Sequence, residues 1–217
     1  MNIEQARFNM IEQQIRPWNV LDQDILDLLH VVKREEFVPE AFQNLAFADV
    51  EIPLPGGEAM LNPKVEARIA QEIAVKKHES VLEIGTGSGY MAALLAHKAR
   101  QVTTVEILPE SVALAKANLA KAGITNVSVE QGNGAEGWAA GTEYDVIVVS
   151  GALPVLPEKL VKQLKVGGRM VAIIGEAPAM TCQIITRTSE TAHDAVKVFE
   201  TVAKPLTGAV APSRFTF

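Results

Sequence analysis

Apolar positions recur at helical spacing at the start of the chain. Phe8, Ile11 and Ile15 form one stripe that Pro17 ends, and Leu21, Ile25, Leu28, Leu29 and Val32 form a second that stops before Pro39. Residues 2–39 are therefore expected to be helical, each stripe covering a surface. Between 40 and 62 the periodicity vanishes, and Pro53, Pro55, Gly56 and Gly57 punctuate a connection longer than compact domains keep without a use. This segment is a candidate binding loop. Asn62 followed by Pro63 has the form of an N-cap with proline at the first helical position, opening a helix through Val65, Ile69 and Ile73.

From Ser80 the pattern changes. Short β-rich runs at 81–84, 102–107, 127–130, 145–149 and 169–174 alternate with helical segments at 90–98, 110–121 and 158–164. Strands and helices alternating at this length specify βαβ crossovers, so the fold class is α/β, a doubly wound, mostly parallel sheet with helices on both faces. Beyond Gly175 the helices stop, and 182–188 and 195–202 read as two strands of an antiparallel edge. The tail to Phe217, with Pro205, Gly208 and Pro212, reads as a surface connection. Residues 1–217 are expected to form one domain, with 1–79 an N-terminal helical cap and loop and 80–217 the α/β core.

Composition narrows the chemistry. Of 217 residues, 48% are hydrophobic and 21% charged, enough to bury a core. Twenty Lys+Arg against 26 Asp+Glu leave a formal charge of −6, the wrong sign for phosphate backbones or an anionic membrane, so neither nucleic acid nor a membrane is an expected partner. One cysteine, Cys182, excludes an internal disulfide, and a reducing, cytoplasmic setting is expected. The N-terminal segment, with Glu4 and Glu12, lacks the apolar run of a secretion signal, and no stretch approaches the ~20 apolar residues of a membrane span. His30, His78, His97 and His193 are scattered without metal-ligand spacing, so no metal is expected.

The sequence Val81-Leu82-Glu83-Ile84-Gly85-Thr86-Gly87-Ser88-Gly89-Tyr90 leaves a strand through three alternating glycines and enters a helix. Ligands of open α/β sheets sit beyond the carboxyl ends of strands, and glycine lets the backbone approach them without a Cβ in the way. The N–H groups opening the helix favour an anion, so a small anionic or zwitterionic ligand is expected. Tyr90 stands where a dinucleotide fingerprint has its third glycine, which counts against NAD. Neither a phosphate-binding G-x-x-x-x-G-K-[ST] nor a G-x-S-x-G nucleophile elbow is present. Glu106 ends the next strand roughly 20 residues after Gly85, where a carboxylate accepts from both hydroxyls of a ribose. Glu83 either meets an ammonium or holds the loop through its N–H groups. Asn133, within Gly132-Asn133-Gly134, either bonds an adenine amino group or simply makes a turn.

These residues resemble Rossmann-like S-adenosylmethionine-dependent methyltransferases, and more closely the protein-L-isoaspartate O-methyltransferase family. The resemblance runs from about Met10 to Gly175. It is carried by Met10-Ile11-Glu12-Gln13-Gln14-Ile15, by Lys33-Arg34-Glu35-Glu36-Phe37-Val38-Pro39, by Ala48-Asp49 leading to Ile52-Pro53-Leu54, by the glycine loop, and by Gln163-Leu164-Lys165-Val166-Gly167-Gly168-Arg169. It implies S-adenosylmethionine as cofactor, held by Glu83, Gly85, Thr86, Gly87, Ser88, Gly89, Glu106, Ile107, Asn133 and Gly134. It also implies methyl transfer to the side-chain carboxylate of an isoaspartyl residue in a protein or peptide, beside Met60, Leu61 and Asn62. The resulting ester collapses to a succinimide from which aspartate re-forms.

Two positions depart from the family pattern. Ala59-Met60-Leu61 stands where the family has Thr-Ile-Ser, and Leu61 offers no hydroxyl to the substrate, a loss of about 1–3 kcal/mol. Asn62 is expected to be occupied as a helix cap. Asn133 replaces an aspartate, and its amide oxygen still accepts. The isoaspartyl acceptor therefore stands beside two alternatives: another carboxylate or small molecule, or a cofactor-binding module without isoaspartyl activity. Ser150-Gly151-Ala152-Leu153-Pro154 lacks the Asn/Asp-Pro-Pro-aromatic clamp of base methyltransferases.

Overall fold

The computed structural model describes residues 2–210. Its centre is a seven-stranded sheet built from β3 (Ser80–Ile84), β4 (Gln101–Glu106), β5 (Val127–Gln131), β6 (Tyr144–Leu153), β7 (Leu164–Glu176), β8 (Ala179–Arg187) and β9 (His193–Glu200), in the order β5-β4-β3-β6-β7-β8-β9. β5, β4, β3, β6 and β7 run parallel, and β8 and β9 add antiparallel at the edge as expected. Chain direction across the sheet reverses between β3 and β6, which opens a crevice beyond their carboxyl ends.

Central strands alternate their side chains between two cores. Val81, Val146, Val148, Val171 and Ile173 face one core, and Leu82, Ile147, Val149, Met170 and Ala172 face the other. The first core is covered by α1 (Ile3–Met10), α2 (Gln23–Val31), α3 (Pro63–Ile73), α4 (Tyr90–Lys98) and α5 (Pro109–Lys121). The second is covered by α6 (Glu158–Lys162) and by Trp138 from the irregular β5–β6 connection, so helices do lie on both faces but very unequally. A short antiparallel pair, β1 (Ile52–Pro53) with β2 (Ala59–Met60), folds the proline-rich loop back on itself.

Several details differ from the sequence pattern. The first stripe is shifted: Arg7, Met10, Ile11 and Ile15 are buried while Phe8 is 48% exposed. The reason is local, because α1 passes into a π-helical turn over Ile11–Ile15, and Arg7 takes the inward position by pairing with Glu35. Leu21, just ahead of α2, is also exposed. Pro17 sits inside a 3₁₀ turn, Arg16–Trp18, and the helix ends one residue later at Asn19, whose φ is 62°. β6 continues past Val149 through an irregularity in its pairing with β7 to Leu153. The described part of the tail is no free surface connection. Lys204 O accepts from Ala152 N and Ala152 O from Leu206 N, each at 2.9 Å, so the tail pairs with the irregular end of β6 and meets backbone groups left over there. Pro212 lies outside the described residues. No helix among the described residues is long and apolar enough to cross a membrane.

Candidate functional site

β3 ends at Ile84 and the chain turns through Gly85 (φ 91°), Gly87 (φ 52°) and Gly89 (φ 85°), backbone that other residues rarely adopt. A Cβ on Gly85 would lie 3.0 Å from Leu206 and 3.3 Å from Ser150 O, so only a bare backbone fits there. The loop is anchored by Glu106, whose Oε2 accepts from Gly87 N at 2.9 Å and Oε1 from Leu108 N at 3.0 Å. Each oxygen keeps a second lone-pair direction. Asn133 Oδ1 accepts from Ala135 N at 2.9 Å, so the Gly-Asn-Gly segment is a turn and also stands at the crevice rim. The turn expected of Asn133 is thus present, with its residue at the crevice rim.

Beneath the loop, Glu83 is fully buried. Its Oε2 accepts from Thr104 Oγ1 at 2.7 Å and its Oε1 from Ser150 Oγ at 2.8 Å, while Thr86 Oγ1 lies 2.6 Å from Thr104 Oγ1. It does not bind loop N–H groups, which removes that half of the expectation. Burial, outweighing the hydroxyls of Thr104 and Ser150, pushes its carboxyl up to about 8.

The crevice that holds Gly85, Gly87, Glu106, Ile107, Asn133 and Gly134 adjoins a smaller cavity lined by Met60, Leu61, Glu66, Glu83, Ser88 and Tyr90. Leu54, Ala59, Gly85, Gly87 and Ser150 line both. Asn62 does not line the small cavity. It occupies the cap position of α3, but its side chain caps nothing, and Oδ1 is buried with no partner. The N–H groups of Val65 and Glu66 go to the Asn62 backbone carbonyl, at 3.0 and 3.1 Å. Over the crevice, Lys204 Nζ donates to Gly57 O at 2.8 Å and Thr207 Oγ1 to Glu58 Oε1 at 3.0 Å, so the tail and the proline-rich loop close together above the glycines. No group of three or more His, Cys, Asp or Glu side chains among the described residues could hold a metal ion.

The protein-L-isoaspartate(D-aspartate) O-methyltransferase family model matches residues 5–210. A protein-L-isoaspartate O-methyltransferase of Methanoculleus marisnigri is 40% identical over 78% of this chain and 77% of its own length. Another, numbered 2, from Marinobacter nauticus is 35% identical over 95% of each chain. The chain belongs to the protein-L-isoaspartate O-methyltransferase family. A Plasmodium falciparum structure described as a protein of this kind, in complex with S-adenosyl-L-homocysteine, has the same fold. It superimposes with a TM-score of 0.80 at 18% identity, over 95% of this chain and 99% of that one.

Gly85, Gly87, Glu106, Ile107, Asn133 and Gly134 line the crevice, Thr86 and Ser88 line the small cavity together with Gly85 and Gly87, and Gly89 lines neither. Leu206, Thr207 and Glu58 also line the crevice, yet no periodic signal marks them. Glu66 did leave a signal: it is an acid on the stripe it shares with Ile69, Ala70 and Ile73. Burial, outweighing the charge of Arg34, pushes Glu66 up to about 7.

With burial pushing its carboxyl up to about 8, Glu83 holds its proton to higher pH in the folded chain than an unfolded carboxyl near 4.5. The stabilisation this gives is fully present below about 4.5 and is lost as pH rises through about 8. Glu83→Gln is therefore expected to gain stability over the wild type as pH is raised, read as the difference between their urea unfolding curves. A constant difference from roughly pH 5 to 8 would overturn it.

Proposed function

We propose that this chain transfers a methyl group from S-adenosylmethionine to the side-chain carboxylate of isoaspartyl residues in damaged proteins or peptides, in a repair role. The observation that carries this reading is a family match spanning both the glycine crevice and the loop in front of it. The buried Cys182, the only cysteine, supports a reducing, cytoplasmic setting.

The crevice fits the cofactor in its donor set. The free lone pairs of Glu106 suit ribose hydroxyls, Asn133 and Gly134 suit the adenine, and Ile107 supplies apolar contact. Gly85, Thr86, Gly87 and Ser88 line the small cavity and Gly89 caps α4, whose first N–H groups suit a carboxylate. When bound, the cofactor supplies an electrophilic methyl group on a sulfonium. An acceptor carboxylate is already ionised at neutral pH, so no general base is required, and the chain's task is to desolvate and align it. Leu54, Met60 and Leu61, all buried, exclude water there. Leu61 supplies no hydroxyl; Asn62, whose side chain caps nothing, is the next polar group along the loop. The single-domain organisation, with 1–79 covering an α/β core from residue 80, is part of the same reading.

The test is methyl incorporation from labelled S-adenosylmethionine into an isoaspartyl peptide against the same peptide with ordinary aspartate. Incorporation at least about tenfold higher into the isoaspartyl form is expected. None, from folded protein that still binds S-adenosylhomocysteine, would rule out this acceptor, as would a strong rise from near zero in Leu61→Ser.

A further inference from the structure

The roof of the crevice comes from two distant parts of the chain. One is the tip of the β1–β2 hairpin. Its base is buried at Ile52 and Met60, whereas Pro55, Gly56 and Gly57 are exposed, the two glycines turning through φ of 70° and 77°. The other is the tail, tied by its backbone to Ala152 of β6 and carrying Leu206 over Gly85 and Gly151. Where they meet, Lys204 Nζ donates to Gly57 O at 2.8 Å and pairs with Glu58 Oε1 at 3.0 Å, and the same oxygen accepts from Thr207 Oγ1 at 3.0 Å. Hairpin and tail are thus each anchored on their own side by buried groups or backbone bonds. The seam between them rests on Lys204 and Thr207, and the Lys204 side chain is 46% exposed.

Beneath this roof the crevice keeps about 60 Å³ of free space and the small cavity about 30 Å³. Pockets that take small molecules begin at roughly 300 Å³, so a nucleoside-bearing ligand is seated only after the roof lifts. The seam yields first, because a part-exposed ion pair is weak and screened by salt while a buried hairpin base is neither. We propose that Lys204 is a latch on the cofactor crevice: its contacts with Gly57 and Glu58 hold hairpin and tail together, and S-adenosylmethionine enters and S-adenosylhomocysteine leaves when that joint parts. This rests on the crevice being the seat of the cofactor, and it assigns Lys204 control over the speed of exchange. A joint that must open for passage either way slows arrival and departure by the same factor and leaves their ratio alone.

Surface plasmon resonance of S-adenosylhomocysteine over the immobilised chain reads both rates. Lys204→Met, which keeps an unbranched stem and removes the charge, is expected to raise association and dissociation together about five- to tenfold and to leave Kd within about twofold. Unchanged rates would overturn the latch. So would faster dissociation at unchanged association, which would make Lys204 an ordinary binding contact. A second arm uses the wild type: raising salt from about 0.05 to about 0.5 M screens the exposed pair, so both of its rates should climb, whereas those of Lys204→Met should stay within about twofold. A wild type indifferent to salt, or a variant as sensitive as the wild type, also overturns it. If the folded wild type binds no S-adenosylhomocysteine at all, the cofactor seat falls and the latch with it, an outcome distinct from altered rates at an unaltered Kd.

Discussion

Arg34→Met is expected to destabilise the chain by about 3–5 kcal/mol. Arg34 is almost completely buried and holds three elements at once: Glu66 on α3, the carbonyl of Ala46, and the carbonyl of Leu61 at the end of the proline-rich loop. Methionine fills much of its volume but donates nothing. Two carbonyls then lose their donors, and Glu66 loses the one charge beside it. For a domain of this size, each kcal/mol lowers the midpoint by about 2–4 °C, so thermal unfolding should show the change plainly. The cost should shrink at low pH, because Glu66, already pushed up to about 7 by burial, can take a proton and become neutral. Arg34→Met combined with Glu66→Leu should recover most of the loss, since an apolar pair of similar volume replaces a buried ion pair well. Urea unfolding of the two singles and the double gives the coupling directly. A loss below about 1 kcal/mol for Arg34→Met alone would show that the pair contributes little.

The second large effect is on binding. Glu106→Ala should weaken S-adenosylhomocysteine by about 1–3 kcal/mol, roughly five- to 150-fold, with the fold intact. The Glu106 carboxylate accepts from Gly87 N and Leu108 N, so its removal takes away both the proposed ribose acceptor and the brace that fixes the glycine turn. Glu106→Gln separates these roles: its remaining carbonyl oxygen keeps one backbone bond, and a smaller loss is expected. Calorimetry on each variant, with circular dichroism to confirm folding, measures both. Unchanged affinity in Glu106→Ala would remove the ribose assignment.

Much of the crevice was legible because its signals are local. Glycines at 85, 87 and 89 follow directly on an apolar strand, and Glu106 closes the next one, so strand length alone brings them to the same sheet edge. The alternating apolar runs of β3, β6 and β7 likewise fix their two buried faces from nearest neighbours. Phe8 shows where such reasoning stops: its spacing is helical, but a π-helical turn and the Arg7–Glu35 pair decide which face turns inward. Asn62 shows the same, since residue type and position suit a cap whose hydrogen bond does not form.

What the chain determined by itself was the parallel sheet, the glycine turn and the acid that ends the next strand, each set by residues close to it in sequence. Only the tertiary structure decided that Arg34 meets Glu66, that Lys204 reaches back to Gly57 across 147 positions, and that Leu206 roofs the glycines. Such pairings have no period to read, because closing a long loop costs little more than closing a short one and leaves no mark on the sequence between its ends.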